Sequence, residues 1–236
     1  MIYNKYSSGI DRIIDIFLPN RCPFCDDFIP YNALACDACE KRLPLTEDSC
    51  CPFCGRAECI CADDILYYSR CFSAAFYVEP AITGIHDLKF HHGVNAAYVF
   101  GDIIREKLEK SGALNEIDCV MGVPMSAKGL RRRGYNQADI IAARIVKGTQ
   151  ITVLKGVIER KYSKVAQHFL CAEERKKAAA EQYYIGDGDT VKGKTVLLCD
   201  DVTTTGSTIN RCAQLLIQCG ASEVIAAVCT VGKGIG

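Results

Sequence analysis

The sequence predicts an α/β protein, a mostly parallel sheet with helices on both faces, joined to a small cysteine-rich N-terminal module. Three observations carry that expectation. Strand-like and helix-like segments alternate through the second half of the chain, the pattern of βαβ units. Ten of the 16 cysteines crowd between positions 22 and 71. An unbroken apolar run, Val196 to Cys199, leads directly into two acids and a hydroxyl-rich loop, and a strand buried on both faces reads as such a run. With 236 residues there is room for a domain of ordinary size and a smaller one. The expected division is 1–65 for an N-terminal helix with the cysteine-rich module and 66–236 for the α/β domain.

Taken in order, residues 8–18 carry Ile10, Ile13, Ile14, Phe17 and Leu18 at helical spacing, ended by Pro19, and predict a short amphipathic helix covering a neighbouring core. From 22 to 61 turn residues dominate and hydrophobic periodicity is weak, so this module needs a staple other than a core. Residues 66–78, rich in Tyr, Phe, Val and Ala, predict strands. Residues 81–110 are helical in pattern, with Pro80 at the start and Gly93 as a break. There follow a strand at 118–123, a helix at 136–147, a β-rich stretch at 151–158, a polar loop and a charged helix near 173–181. A strand at 195–199, a helix at 207–219 and a strand at 223–230 complete the pattern.

Charge and hydropathy remove several classes. Lys plus Arg and Asp plus Glu are equal at 28 each, which argues against a uniformly basic nucleic-acid coat and leaves room only for a local patch. No apolar run approaches the roughly 18 residues of a membrane helix. Asp11 and Asp15 interrupt the N-terminal apolar stretch, and no small-residue cleavage site follows, so no signal peptide is expected. Cys119, Cys171, Cys199, Cys212, Cys219 and Cys229 read as buried free thiols. Together these point to a cytoplasmic protein without disulfides.

Cys22-Pro-Phe-Cys25 recurs as Cys51-Pro-Phe-Cys54, and each copy is followed by a second pair, Cys36 with Cys39 and Cys59 with Cys61. A two-residue spacer lets both sulfurs face one ion, and two pairs complete a tetrahedral set of thiolates that suits zinc. Four thiolates leave no open position, so the two ions expected here are structural. The last pair has a one-residue spacer, which leaves Cys50 as an alternative ligand, and the spacing also permits an interleaved set joining 22/25 to 51/54.

The stretch from Thr195 to Thr208 is the most specific in the chain. Asp200 and Asp201 stand at the C-terminal end of a predicted strand, where ligands sit in open α/β sheets. Val202, Thr203, Thr204, Thr205, Gly206, Ser207 and Thr208 then form a loop and helix start whose amides and hydroxyls suit a phosphate monoester. Gly206 allows close backbone approach, and the adjacent acids suit a sugar's vicinal hydroxyls. No lysine follows the glycine as in a nucleotide-triphosphate loop. Elsewhere, Lys128 and Arg131 to Arg133 offer a cationic rim for pyrophosphate or nucleic-acid phosphates. Lys89, in an apolar Leu-Lys-Phe context, is a further ligand candidate, while His86, His91 and His92 lack metal-ligand spacing.

This stretch resembles the signature of type I phosphoribosyltransferases, which bind phosphoribosyl pyrophosphate (PRPP). The resemblance then narrows. Pro19 with the cysteine pairs, Leu88-Lys89-Phe90, Val123-Pro-Met-Ser126, Arg131-Arg-Arg-Gly-Tyr-Asn-Gln137, Gln167 and Glu174-Arg175 stand in the order seen in ComF-type competence proteins. Those proteins pair an N-terminal zinc ribbon with a phosphoribosyltransferase-like domain. The resemblance implies a type I phosphoribosyltransferase-like sheet behind a double zinc ribbon. It implies Asp200 and Asp201 on the ribose hydroxyls, Thr203 to Thr208 on the 5′-phosphate, and Pro124, Met125, Ser126, Lys128 and Arg133 at the pyrophosphate, with Mg²⁺ accompanying PRPP. Residues 159–177 correspond to a closing loop in which Arg160, Lys164 and Arg175 are the catalytic candidates. Two departures fall there: Val165-Ala166 stand for the usual Thr-Pro, and Lys177, Ala178 and Ala179 for an Asn with a small and an aromatic residue.

On function, the resemblance implies a PRPP-binding protein that supports single-stranded DNA handling during DNA uptake. Tyr135 and Tyr162 are available there to stack bases. One alternative is an active phosphoribosyltransferase of nucleotide metabolism with an unidentified acceptor. The other is a PRPP-sensing scaffold whose zinc ribbon holds a protein partner such as a competence helicase. The chain ends at Gly236 just after its last strand, so an acceptor hood is expected from residues 65–115 or from the zinc module.

Overall fold

Strand formation follows the apolar runs, and five of the resulting strands pair in parallel. In this computed structural model the described residues are 20–59, 61, 65–91, 93–161 and 182–233. The predicted helices at 8–18 and 173–181 lie outside them. The strands are β1 (Arg70–Phe76), β2 (Cys119–Gly122), β3 (Thr152–Val153), β4 (Ile158–Arg160), β5 (Tyr183–Ile185), β6 (Thr195–Thr203) and β7 (Glu223–Val231). The main sheet has the order β1-β7-β6-β2-β3, and β4 with β5 forms a separate antiparallel ribbon. β7 and β6 are the inner strands of greatest length, and Val196 to Cys199 and Val224 to Cys229 are buried.

The helices are α1 (Asp37–Arg42), α2 (Ala81–Phe90), α3 (Asn95–Lys110), α4 (Ala127–Arg133), α5 (Gln137–Ile145) and α6 (Ser207–Gln218). One core joins Ile85, Leu88, Phe100, Ile104, Ile141 and Ile145 of α2, α3 and α5 to Leu197 and Ile225 of the sheet. The other joins Ile209, Cys212 and Leu216 of α6 to Leu198 and Val228. Helices therefore cover both faces, as alternating residues of the inner strands require. No described helix is long and apolar enough to cross a membrane.

Two expectations need correction. The strand predicted at 195–199 continues to Thr203, because Asp200, Val202 and Thr203 keep register with Val228, Thr230 and Val231 of β7 after β2 has ended at Gly122. Pairing with a buried neighbour overrides the poor strand propensity of the acids. The β-rich stretch at 151–158 divides: β3 pairs with β2, and the chain then turns at Gly156, whose φ is +75°, to pair β4 with β5.

The cysteine-rich module shares the main core. The Phe24 ring meets Phe100 edge-on at 5.7 Å between centroids. It also lies over Gly84, where a Cβ would come within 2.3 Å of the ring. Leu45 forms an antiparallel bridge to Ala75, Thr46 N–H donates to Ala74 O at 3.1 Å, and Phe76 N–H donates to Pro44 O at 2.8 Å. The module thereby covers the outer edge of β1, which would otherwise present unpaired backbone groups.

Candidate functional site

Each Cys-Pro-Phe-Cys repeat closes a tight turn whose next residue is left-handed. Asp26 N–H donates to Cys22 O at 2.9 Å with φ of 63° at Asp26, and Gly55 N–H donates to Cys51 O at 2.8 Å with φ of 72° at Gly55. The sequence repeat is thus a structural repeat. The sulfurs of Cys22, Cys25, Cys36 and Cys39 lie within 4.8 Å of one another, as do those of Cys51, Cys54, Cys59 and Cys61. The clusters follow chain order, not the interleaved alternative, and Cys50 belongs to neither. Zn–S bonds of about 2.3 Å in a tetrahedron put sulfurs about 3.8 Å apart. Cys25–Cys36 at 3.7 Å and Cys51–Cys61 at 3.8 Å match, whereas Cys59–Cys61, across the one-residue spacer, is closer at 3.0 Å. The donor sets fit structural zinc.

The second site is a cleft of about 340 Å³ at the C-terminal ends of β2 and β6. Asp200 and Asp201 form part of its wall, and Asp201 N–H donates to Asp200 Oδ1 at 2.8 Å. Lys89, carried by the last turn of α2, places Nζ 3.1 Å from Asp201 Oδ2. Burial first, and then the Asp201 charge, push the Asp200 carboxyl up to about 7, against the opposing pull of the Asp201 amide, Lys89 and Arg160. Pro124, Met125, Ser126 and Arg133 also line the cleft. The Ser126 side chain accepts from Gly129 N–H at 3.2 Å and so ends the loop by capping α4. Arg133 Nη1 donates to Gln137 Oε1 at 3.1 Å, and its guanidinium lies 5.6 Å from the centre of the half-exposed Phe90 ring.

Arg160, at the end of β4, also reaches this cleft. Its Nε and Nη2 donate to Gln182 Oε1 at 3.1 and 2.8 Å, and its guanidinium lies 5.3 Å from the Tyr183 ring centre. Burial pushes the Tyr183 phenol up to about 12. Thr208 lines the cleft, while Val202 and Thr203 at the end of β6, Thr204, Thr205 and Gly206 in the turn, and Ser207 at the start of α6 adjoin it without forming its wall. Gly206 caps α6 with φ of 77°, a conformation that glycine adopts without the Cβ penalty. Thr205 Oγ1 and Ser207 Oγ are 2.7 Å apart beside it. Lys128 is exposed and outside the lining, and Lys164 and Arg175 lie beyond the described residues.

Arg132, expected in the cationic rim, lines the cleft, and the structure adds Gly129, Asn136, Gln137 and Tyr183. Asn136 and Gln137 stand in the Arg-Arg-Arg-Gly-Tyr-Asn-Gln motif, so their signal was present without a role. Tyr183 had none, because the three-residue ribbon that delivers it is too short for periodicity. A larger cavity, about 910 Å³, lies along the outer face of α5 between Tyr98 and Val153. It contains neither Asp200, Asp201 nor the 124–126 loop.

Comparison with known proteins agrees with both halves. Residues 95–235 match the phosphoribosyl transferase domain family, and residues 13–73 match the double zinc ribbon domain. DNA utilization protein YhgH of Escherichia coli K12 is 28% identical over 199 residues, covering 80% of this chain and 86% of that protein. Competence protein F of Haemophilus influenzae is 25% identical over 231 residues, covering 88% and 95%. A purine phosphoribosyltransferase structure from Pyrococcus horikoshii aligns with 25% identity and a TM-score of 0.32, covering 57% of this chain and 70% of that one. The chain belongs to the phosphoribosyl transferase family and carries, ahead of that domain, the double zinc ribbon of the ComF-type arrangement.

Proposed function

We propose that the cleft binds PRPP and that the protein uses this site while handling single-stranded DNA in DNA uptake. The observation that carries the first part is the convergence of Asp200 and Asp201, Lys89, the Pro124–Ser126 loop and Arg133 on one cleft. In this reading Asp200 and Asp201 accept hydrogen bonds from the ribose 2′ and 3′ hydroxyls. The loop from Val202 to Thr208 wraps the 5′-phosphate with amides and the Thr and Ser hydroxyls. Pro124, Met125 and Ser126 lend backbone to the pyrophosphate, with Arg133 supplying charge and Lys128 a cation at the outer rim. Arg160, stacked on Tyr183, is the catalytic candidate among the described residues. Lys164 and Arg175 remain sequence-based candidates for the same lid. The carboxylates and the ligand's own phosphate oxygens make up the hard-oxygen donor set that Mg²⁺ takes. Mg²⁺ bound there would offset the charge of the pyrophosphate.

The DNA part draws on the relatives, a DNA utilization protein and a competence protein. It also draws on α4, which exposes Arg131 beside the cleft and Arg132 in its lining. Work on imported DNA belongs in the cytoplasm, with a helicase as a natural partner of the zinc ribbon. In keeping with the sequence division, 1–65 acts as the zinc module and 66–236 as the PRPP domain. Calorimetric titration with PRPP and Mg²⁺ tests the site. The wild-type chain should bind, and the Asp200→Asn/Asp201→Asn double variant should lose at least about tenfold, or 1.4 kcal/mol. Equal binding by both, or by neither while both are folded, would sink the assignment.

A further inference from the structure

The turn joining α4 to α5 makes contacts that ligand binding does not itself require. Tyr135 Oη donates to Leu88 O at 2.7 Å, and Gln137 Nε2 reaches the same oxygen at 3.5 Å. Leu88 O belongs to the last turn of α2, where carbonyls lack intrahelical donors, and the next residue is Lys89. Asn136 Nδ2 donates to Val123 O at 3.0 Å and to Asp139 Oδ1 at 3.1 Å, while its Oδ1 accepts from Ala138 N–H at 3.3 Å. Val123 leads into the Pro124–Ser126 loop. Gln137 Oε1 accepts from Arg133 Nη1 at 3.1 Å.

Three consecutive side chains are therefore bonded to the carriers of three separate cleft groups. Gln137 is buried, 2% exposed. Asn136 lines the cleft, yet both of its amide hydrogens are engaged, so no donor is left for a ligand. Behind it, a Cβ at Gly122 would lie 2.5 Å from Asp139 Oδ1, so glycine is what lets that carboxyl sit under the loop.

We infer that Tyr135, Asn136 and Gln137 are positioning residues that lock Lys89, the Pro124–Ser126 loop and Arg133 into one arrangement and so set affinity for the pyrophosphate end of the ligand. The inference rests on the proposed PRPP site. A brace that served only stability would change melting without favouring one end of the ligand. Positioning favours one end, because the Pro124–Ser126 loop and Arg133 are bonded to this turn directly, whereas Asp200, Asp201 and the residues that follow are held by β6 and α6 and meet the turn only through Lys89.

Two variants separate the cases. Tyr135→Phe removes only the hydroxyl. Asn136→Ser keeps a residue favoured at a helix N-cap but is too short to bond Val123 O. Inorganic pyrophosphate with Mg²⁺ and ribose 5-phosphate are titrated separately against wild-type protein and each variant, with thermal melting as the check on folding. Pyrophosphate affinity should fall about tenfold, or 1.4 kcal/mol, while ribose 5-phosphate affinity stays within about twofold. Equal losses for both probes, or no loss for either, overturn the inference. Wild-type protein that binds neither probe overturns the proposed function, and the inference with it. Tyr135→Phe decides the matter if Asn136→Ser melts early.

Discussion

Lys89 Nζ and Asp201 Oδ2 stand 3.1 Å apart, joining the end of α2 to the C-terminal part of β6 in the lining of the cleft. Both side chains are largely withdrawn from water, and Asp200 adjoins them with its carboxyl pushed up to about 7. The lysine therefore adds positive charge beside Asp200, which burial and the neighbouring Asp201 charge disfavour as an anion. Replacing it with Met keeps the apolar stem and removes the cation. Lys89→Met should weaken PRPP binding at pH 7 by about tenfold or more, 1.4 kcal/mol, read by calorimetry. Unchanged affinity would separate Lys89 from ligand binding.

Asp200 also carries a pH signature in stability. Its folded value of about 7 lies above the ordinary carboxylate range, so the folded state holds this proton more tightly than the unfolded chain does. The stabilising effect is full below about pH 4, is lost as pH rises towards 7, and is gone above that. Asp200→Asn imitates the protonated form at every pH. The variant should match wild type in stability near pH 4 and exceed it by about 1–3 kcal/mol above pH 7, while losing PRPP. Denaturant unfolding at pH 4, 5.5 and 8 measures the gap, and a gap that does not widen with pH contradicts the assignment.

The parts of this fold that were legible in sequence are those with local causes. Val196 to Cys199 reads as a buried strand because parallel pairing buries both faces. The cysteine clusters read from spacing, because ligand geometry is set within a few residues. Whether 22/25 partners 36/39 or 51/54 depends on where two distant turns are brought, which spacing does not encode. The extension of β6 to Thr203 comes from register with β7, and Tyr183 enters the cleft through the β4–β5 ribbon. Asp200 and Asp201 were readable because the C-terminal end of a parallel strand is where ligands sit, whereas Ser126 was readable only through the family resemblance. Their convergence with Lys89 was not, since it results from the docking of α2 on the sheet.

Zinc should matter more at the first cluster than at the second. Cys22 and Cys39 belong to the main core together with Phe24, Ile29, Leu34 and Leu43, whereas Cys59 is exposed and Cys54 is the one buried ligand of the second set. Losing the first ion releases side chains that each contribute about 1.5–3 kcal/mol by burial, and the edge of β1 is then uncovered. Metal analysis should return two equivalents. Cys39→Ser should lower the melting temperature of the entire protein in one transition, and Cys59→Ser should lower it less. A Cys39→Ser protein that loses zinc and melts like wild type would show the module to be independent of the core.

The basic face of α4 gives the DNA reading its sharpest test. Arg131 and Arg132 are exposed, and no side-chain hydrogen bond or ion pair engages either among the described residues. Arg131 lies outside the cleft lining and is open to phosphates, whereas Arg132 also lines the cleft. Each phosphate contact to a single strand contributes about 0.7 to the fall of log affinity with log salt. Arg131→Glu should therefore reduce that slope by about 0.7 for an unstructured oligonucleotide, and weaken binding by a similar factor whatever its sequence. Ribose 5-phosphate affinity should stay near the wild-type value, because the acids and the 202–208 loop sit on other elements. A variant that keeps the wild-type slope moves DNA contact away from α4. A wild-type protein with no measurable binding at low salt removes the single-strand role while leaving the PRPP site standing.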